Sequence, residues 1–227
     1  MKLELLDSYN IRARLSASII LLAPIAISLF FLFEEIKSFS NSSIIIFVLL
    51  AFTNYIPIMQ RWLNRKKTGL VNYAAQFLLL KDNTFDNTSK MRFYKKLSSL
   101  DDAFVLLENP DDSEEFKKCC KSAVIYIRSR TRDNKLVLEE NINYGFCKNL
   151  MANKAAGIII CLICSTFVAV FSILKYDSMS AIPIQNYFAF FADIILFLFW
   201  VFGINKKILK DSAIQYAKAL LMAIDTL

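Results

Sequence analysis

Asp193 is the one ionisable side chain in the apolar run from Asn186 to Ile204, NYFAFFADIILFLFWVFGI. On a helix its surface neighbours would be Ala189, Phe190, Leu196 and Phe197. A carboxylate turned to lipid costs about 2.5–3.5 kcal/mol near the centre of a membrane helix. Such an acid is expected to face a bundle interior, a water-filled path or a partner, the alternative being a shallow acid hydrated from the outer surface. Phe197, Trp200 and Ile204 follow at one-turn spacing. In a homo-oligomer this pattern gives a ring of carboxylates, which concentrates cations, above apolar rings that gate by dewetting. Asp193, Phe197 and Trp200 are therefore the candidate pore-lining residues.

A second group could recognise phosphate. Arg128, Arg130, Arg132 and Lys135 crowd into IRSRTRDNK, and Arg92, Lys95 and Lys96 form a weaker cluster upstream. Guanidinium groups favour bidentate phosphate contacts, so these seven residues are the candidate site for a nucleotide or a DNA oligomer. The competing explanation is retention of topology plus attraction to anionic inner-leaflet lipids, about 1 kcal/mol per basic residue near the surface.

Other chemistry has little to work with. The chain has no His, no Gly-rich phosphate loop and no nucleophile motif, which points away from an enzyme. Cys161 and Cys164 form a CxxC, but within an apolar run where that spacing places two small residues on one helix face. With no second Cys pair, neither a metal site nor a cofactor is expected.

The elements that must position these groups are apolar helices. The chain is 56% hydrophobic, and four windows, Leu15–Phe33, Ser38–Gln60, Ala155–Leu174 and Ser178–Asn205, are each long enough to span a bilayer. The first lacks a cleavage pattern and is followed after a short turn by another span, so it is read as a span and not as a signal peptide. Of the 27 Lys and Arg, only Lys37 and Lys175 fall in the two short turns. The positive-inside rule then places both termini and the segment from Arg61 to Lys154 in the cytoplasm of a multi-pass inner-membrane protein.

This gives an all-α membrane protein: four transmembrane helices with a helical cytosolic domain inserted between spans two and three. Residues 1–60 form an amphipathic segment and the first transmembrane hairpin. Residues 61–154 form the basic cytosolic domain, 155–205 the second hairpin and 206–227 a cytosolic C-terminal helix. Pro24 and Pro57 are the candidate kink positions of spans one and two, and Asn54 reads as interhelical glue. In the cytosolic segment, spacing predicts a helix from about Gly69 to Lys81 and another, capped by Thr88 or Ser89, through about Leu100. A further helical turn falls at Asp101–Leu107. Asp112, at capping-box spacing from Glu115, opens a helix to about Arg130 with Phe116, Cys119, Cys120, Ala123 and Ile127 inward. Lys135–Glu139 reads equally as strand or helix. Charge here comes in blocks: net +7 over Arg61–Leu100, −7 over Asp101–Glu115 and +6 over Phe116–Lys135. Tyr73 with Asp82 and Tyr216 with Asp225, each nine residues apart, fit a chain of two similar hairpins.

The stretch Glu140-Asn141-Ile142-Asn143-Tyr144-Gly145-Phe146-Cys147-Lys148-Asn149 resembles an "EN..YGF..N" signature of small bacterial membrane effectors. These are encoded beside nucleotidyltransferases in antiphage systems of the Hailong type. The resemblance covers these ten residues and the four-span plan. It implies an oligomeric inner-membrane channel or pore, controlled by a nucleotide or oligonucleotide, with a nucleotidyltransferase as partner and growth arrest or death on infection as outcome. Read physically, Tyr144 and Phe146 are interface aromatics before span three, and Gly145 permits a sharp change of direction between them.

Two other functions fit the same plan. A membrane sensor or scaffold of the Kiwa type would recruit a cytosolic partner, hold Asp193 in an intramolecular contact and conduct nothing. A small transporter would suit the two-hairpin pattern, but the spans hold no other embedded charge.

Overall fold

A computed structural model describes residues 9–33, 36 and 72–227, and among them every regular element is helical. A π-helical turn, Asn10–Leu15, leads into α1, Ser16–Leu32. There follow α2, Tyr73–Phe77, α3, Asn87–Leu100, and α4, Glu114–Arg130. The chain then forms α5, Lys135–Lys175, α6, Ile184–Leu198, with a π-helical continuation Phe199–Gly203, and α7, Lys206–Met222. Short 3₁₀ turns occupy Asp102–Glu108, Met179–Ala181 and Ala223–Thr226. Three helical stretches, Asn10–Leu32, Lys135–Lys175 and Ile184–Gly203, are long and apolar enough to cross a membrane. The expected second span Ser38–Gln60, with Asn54 and Pro57, and the basic run Arg61–Lys67 lie outside the described residues.

The chain divides into two units. The first comprises residues 9–33 and Gly145–Leu209. Its centre is one face of α5, where Gly145, Asn149, Asn153, Gly157, Cys161, Cys164, Ser165, Val168 and Ser172 are all buried. These recur every three or four residues and are small or short and polar, the composition that lets membrane helices approach closely. α1 packs along α6. Leu32, Val168 and Ala189 close one end of the interface, and Ala17, Leu21, Leu150, Cys161, Trp200 and Ile204 close the other. Pro24 is accommodated inside an α1 that runs unbroken through it.

The second unit comprises residues 72–144 and Lys210–Leu227. Its core draws Phe77 and Leu78, Phe93, Tyr94 and Leu97 of α3, Phe104 and Leu107, Phe116, Cys120 and Ile127 of α4, and Leu220, Leu221 and Ile224 from the C-terminal stretch. Each large apolar side chain taken fully from water contributes about 1.5–3 kcal/mol. The C-terminal stretch, drawn from sequence as a segment of its own, thus supplies part of this core. Ala217, Leu220 and Leu221 are buried there beside Ala74, Phe77 and Leu78, the same offsets from Tyr216 and Tyr73.

Several helix limits differ from those the spacing predicts. α2 ends at Phe77 and not near Lys81, and two side chains of α3 take carbonyls of the segment that follows it. Tyr94 donates its hydroxyl to Leu78 O, and the buried Lys90 ammonium donates to Leu79 O at 2.6 Å, Leu80 O at 3.4 Å and Asp82 O. The N-cap of α3 is Asp86, accepting from Ser89 N at 2.9 Å, and that of α4 is Ser113, accepting from Phe116 N at 3.0 Å. Lys135–Glu139 is helix, the first turns of α5, capped by Asn134 Oδ1 accepting from Val137 N at 3.2 Å.

Candidate functional site

The cationic candidates collect at the corner between α4 and α5. Arg128 and Arg130 occupy the last turn of α4, Arg132 the connection, and Lys135 the first position of α5. All four are exposed, and among the described residues none forms an ion pair with a carboxylate. Arg130 lies over the Tyr126 ring, 5.3 Å from its centroid. Thr131 ends α4 by donating both its N–H and its hydroxyl to Ile127 O, each at 2.9 Å. Bases at a helix C-terminus also complement its dipole, which accounts for part of their placement.

Lys118 and Lys121 lie on the exposed face of α4 that carries Arg128, at intervals of three and seven residues, and Arg132 follows four residues on in the connection. They extend the basic stripe along the helix, and its 3.6-residue periodicity was available in the sequence. Arg92, of the weaker cluster, is committed to Asp225 at 2.8 Å. Lys95 and Lys96 belong to α3, and among the described residues no hydrogen bond or ion pair joins the three to the α4–α5 corner.

Asp193 is the tenth of the twenty residues Ile184–Gly203 and is wholly covered by protein. It is therefore not a shallow acid bathed by outer solvent. Ser28 Oγ of α1 donates to its Oδ2 at 2.8 Å, and Cys161 and Cys164 of α5 lie close enough to feel its charge. Its Oδ1 has no partner among the described residues. Trp200 is likewise enclosed, seated where Gly157 leaves room: a Cβ on Gly157 would clash with the indole ring. Phe197 is half-buried. In a single chain the Asp193 and Trp200 side chains thus turn into the helix packing and away from the outer surface.

The ten-residue signature lies entirely within α5, and its glycine makes no bend. No described glycine has a positive φ, and the helix continues through Gly145. What Gly145 provides is room, since a Cβ there would lie 2.6 Å from Tyr9 Oη. One turn on, Asn149 Nδ2 donates to Ala13 O at 2.8 Å. Tyr144 stacks on Tyr216, centroids 5.9 Å apart and planes 8° from parallel. Both docking roles of the motif depend on partners more than 100 residues away, so no local signal reveals them.

The thiols of the second unit are unreactive. Burial raises Cys119 above the ordinary thiol range and pushes Cys120 up to about 12, leaving too little thiolate for nucleophilic work. Among the described residues no group of three or more potential ligands gathers to hold a metal ion. No family model, curated protein or solved structure matches this chain.

Proposed function

We propose that this protein is an oligomeric membrane effector of bacterial antiphage defence, a ligand-gated ion channel or pore whose cytosolic unit binds a nucleotide or oligonucleotide at the α4–α5 corner. The observation that carries this reading is the cluster Arg128, Arg130, Arg132 and Lys135 at the α4–α5 corner, all exposed and, among the described residues, none in an ion pair with a carboxylate. Exposed guanidinium groups suit bidentate phosphate contacts, so the corner is available to a polyanion. The resemblance to effectors encoded beside nucleotidyltransferases favours the same ligand class and supplies the defence role.

A second reading, the membrane sensor or scaffold, draws on the enclosure of Asp193 against Ser28. The two separate on conductance. The full-length protein in liposomes should pass cations in a manner altered by short DNA or nucleotide, and Arg128→Ala/Arg130→Ala/Arg132→Ala should insert normally but lose that response and the binding. Binding should weaken steeply with salt, as phosphate contacts release counterions. Binding without conductance would favour the scaffold, and unchanged binding by the triple variant would remove the corner as the site.

A further inference from the structure

The four buried side-chain polar atoms without a partner among the described residues belong to just three residues: Asn153, with both amide atoms, Asp193 and Trp200. All three lie in the membrane unit, on α5 and on span four. A buried polar atom left unpaired forfeits its hydration without a replacement bond, which is costly. Folded proteins keep such atoms rare, so their concentration on one helix pair calls for a physical reason.

The same helix pair holds an irregular turn. Span four is α-helical to Leu198, π-helical over Phe199–Gly203, and extended at Ile204, with Ile204 N donating to Phe199 O at 3.2 Å across five residues. A π turn holds one residue more than the α turn it replaces and occurs mostly at functional sites. Here it is held open from outside. Trp200, inside the π turn, sits against Gly157, while Lys154 Nζ donates to Val201 O at 2.8 Å and Ile204 O at 2.5 Å. Asn153, one turn before Gly157 on the same face of α5, is buried, and among the described residues its amide has no hydrogen-bond partner.

We propose that the Phe199–Gly203 turn is a register switch for span four. In the arrangement seen here the extra residue is stored in the π turn, and Asp193 is held against Ser28. When Trp200 leaves its seat on Gly157 and Lys154 releases the carbonyls, the turn relaxes to α-helix. The preceding part of span four then rotates by one residue's worth, about 100°, about its own axis. Each residue takes the place of the one before it: Asp193 leaves Ser28 for the half-buried position of Ala192, and Ile194 fills the covered position. The switch changes which face of span four carries the carboxylate, and its test reads orientation, independently of whether the protein conducts or binds nucleotide.

The experiment is a nitroxide scan of span four in the full chain in liposomes, reading accessibility to oxygen dissolved in the bilayer. The native protein should show maxima at Phe188, Phe191 and Ile195, which are exposed. Gly157→Ala, which unseats Trp200, should move the maxima one position on, to Ala189, Ala192 and Leu196. Deleting Phe202 removes the stored residue, so adding that deletion to Gly157→Ala should restore the native maxima. Lys154→Gln, which frees both carbonyls without crowding the packing, should shift the maxima as Gly157→Ala does, and it decides the question if Gly157→Ala fails to insert. Native maxima in both single variants would overturn the switch, as would shifted maxima that survive the Phe202 deletion.

Discussion

Ser28 Oγ and Asp193 Oδ2 meet at 2.8 Å, a hydrogen bond between α1 and α6 closed across 165 residues of chain. Both side chains are covered, so the pair fixes the facing of two membrane helices that otherwise touch through apolar surface. Asp193→Asn keeps an acceptor for Ser28 and should preserve folding and assembly while lowering cation selectivity or toxicity. Ser28→Ala removes the one donor seen on the carboxylate and should destabilise the folded protein by about 1–3 kcal/mol, read from thermal unfolding in detergent. Selectivity and toxicity untouched by Asp193→Asn would place the pathway elsewhere.

Lys90 is a buried amine that closes the end of α2 from a distance. Lys90→Met keeps the length of the side chain but takes the ammonium away from the carbonyls of Leu79, Leu80 and Asp82, leaving Leu79 O with only Asp82 N at 3.2 Å. The expected loss is about 1–3 kcal/mol. Tyr94→Phe, which removes only the bond to Leu78 O, should cost less, about 0.5–1.5 kcal/mol. Equal stability of Lys90→Met and the native protein in a denaturant titration would contradict the capping role.

Asp86 should give the start of α3 an acid limb. Its carboxyl is held below the ordinary value of 3.8 by hydrogen bonding from the side chain and then the backbone of Ser89. A group whose folded value is depressed stabilises above its unfolded value, and the contribution is lost as pH falls through the folded one. The protection factors of the Ser89 and Lys90 amides, observed exchange set against the intrinsic rate at each pH, should therefore fall below about pH 4, where Asp86 begins to take up a proton. In Asp86→Asn, which caps without titrating, that fall should be absent.

The turn between α5 and α6 tests the proposed topology. Ser180 is exposed in the 3₁₀ turn Met179–Ala181, and charge bias assigns this turn to the outside. A cysteine placed there should react with an impermeant thiol reagent on intact cells. Labelling only after lysis would reverse the assignment.

The sequence by itself determined the helical character and three helices long and apolar enough to cross a membrane, because long apolar runs and 3.6-residue periodicity are local properties of the chain. It also located the basic cluster at Arg128–Lys135 and the acid at Asp193, since residue type and spacing need no fold to be seen. What those residues face was decided by the tertiary structure. Asp193 meets Ser28, Gly145 makes room for Tyr9, and Asn149 bonds Ala13 O, all through partners remote in sequence. The capping of the segment after α2 has the same origin, because Lys90 and Tyr94, which donate to its carbonyls, come from α3. So does the placement of Leu220, Leu221 and Ile224 in the second unit, since a terminal amphipathic helix shows that it has an apolar face but not what will cover it.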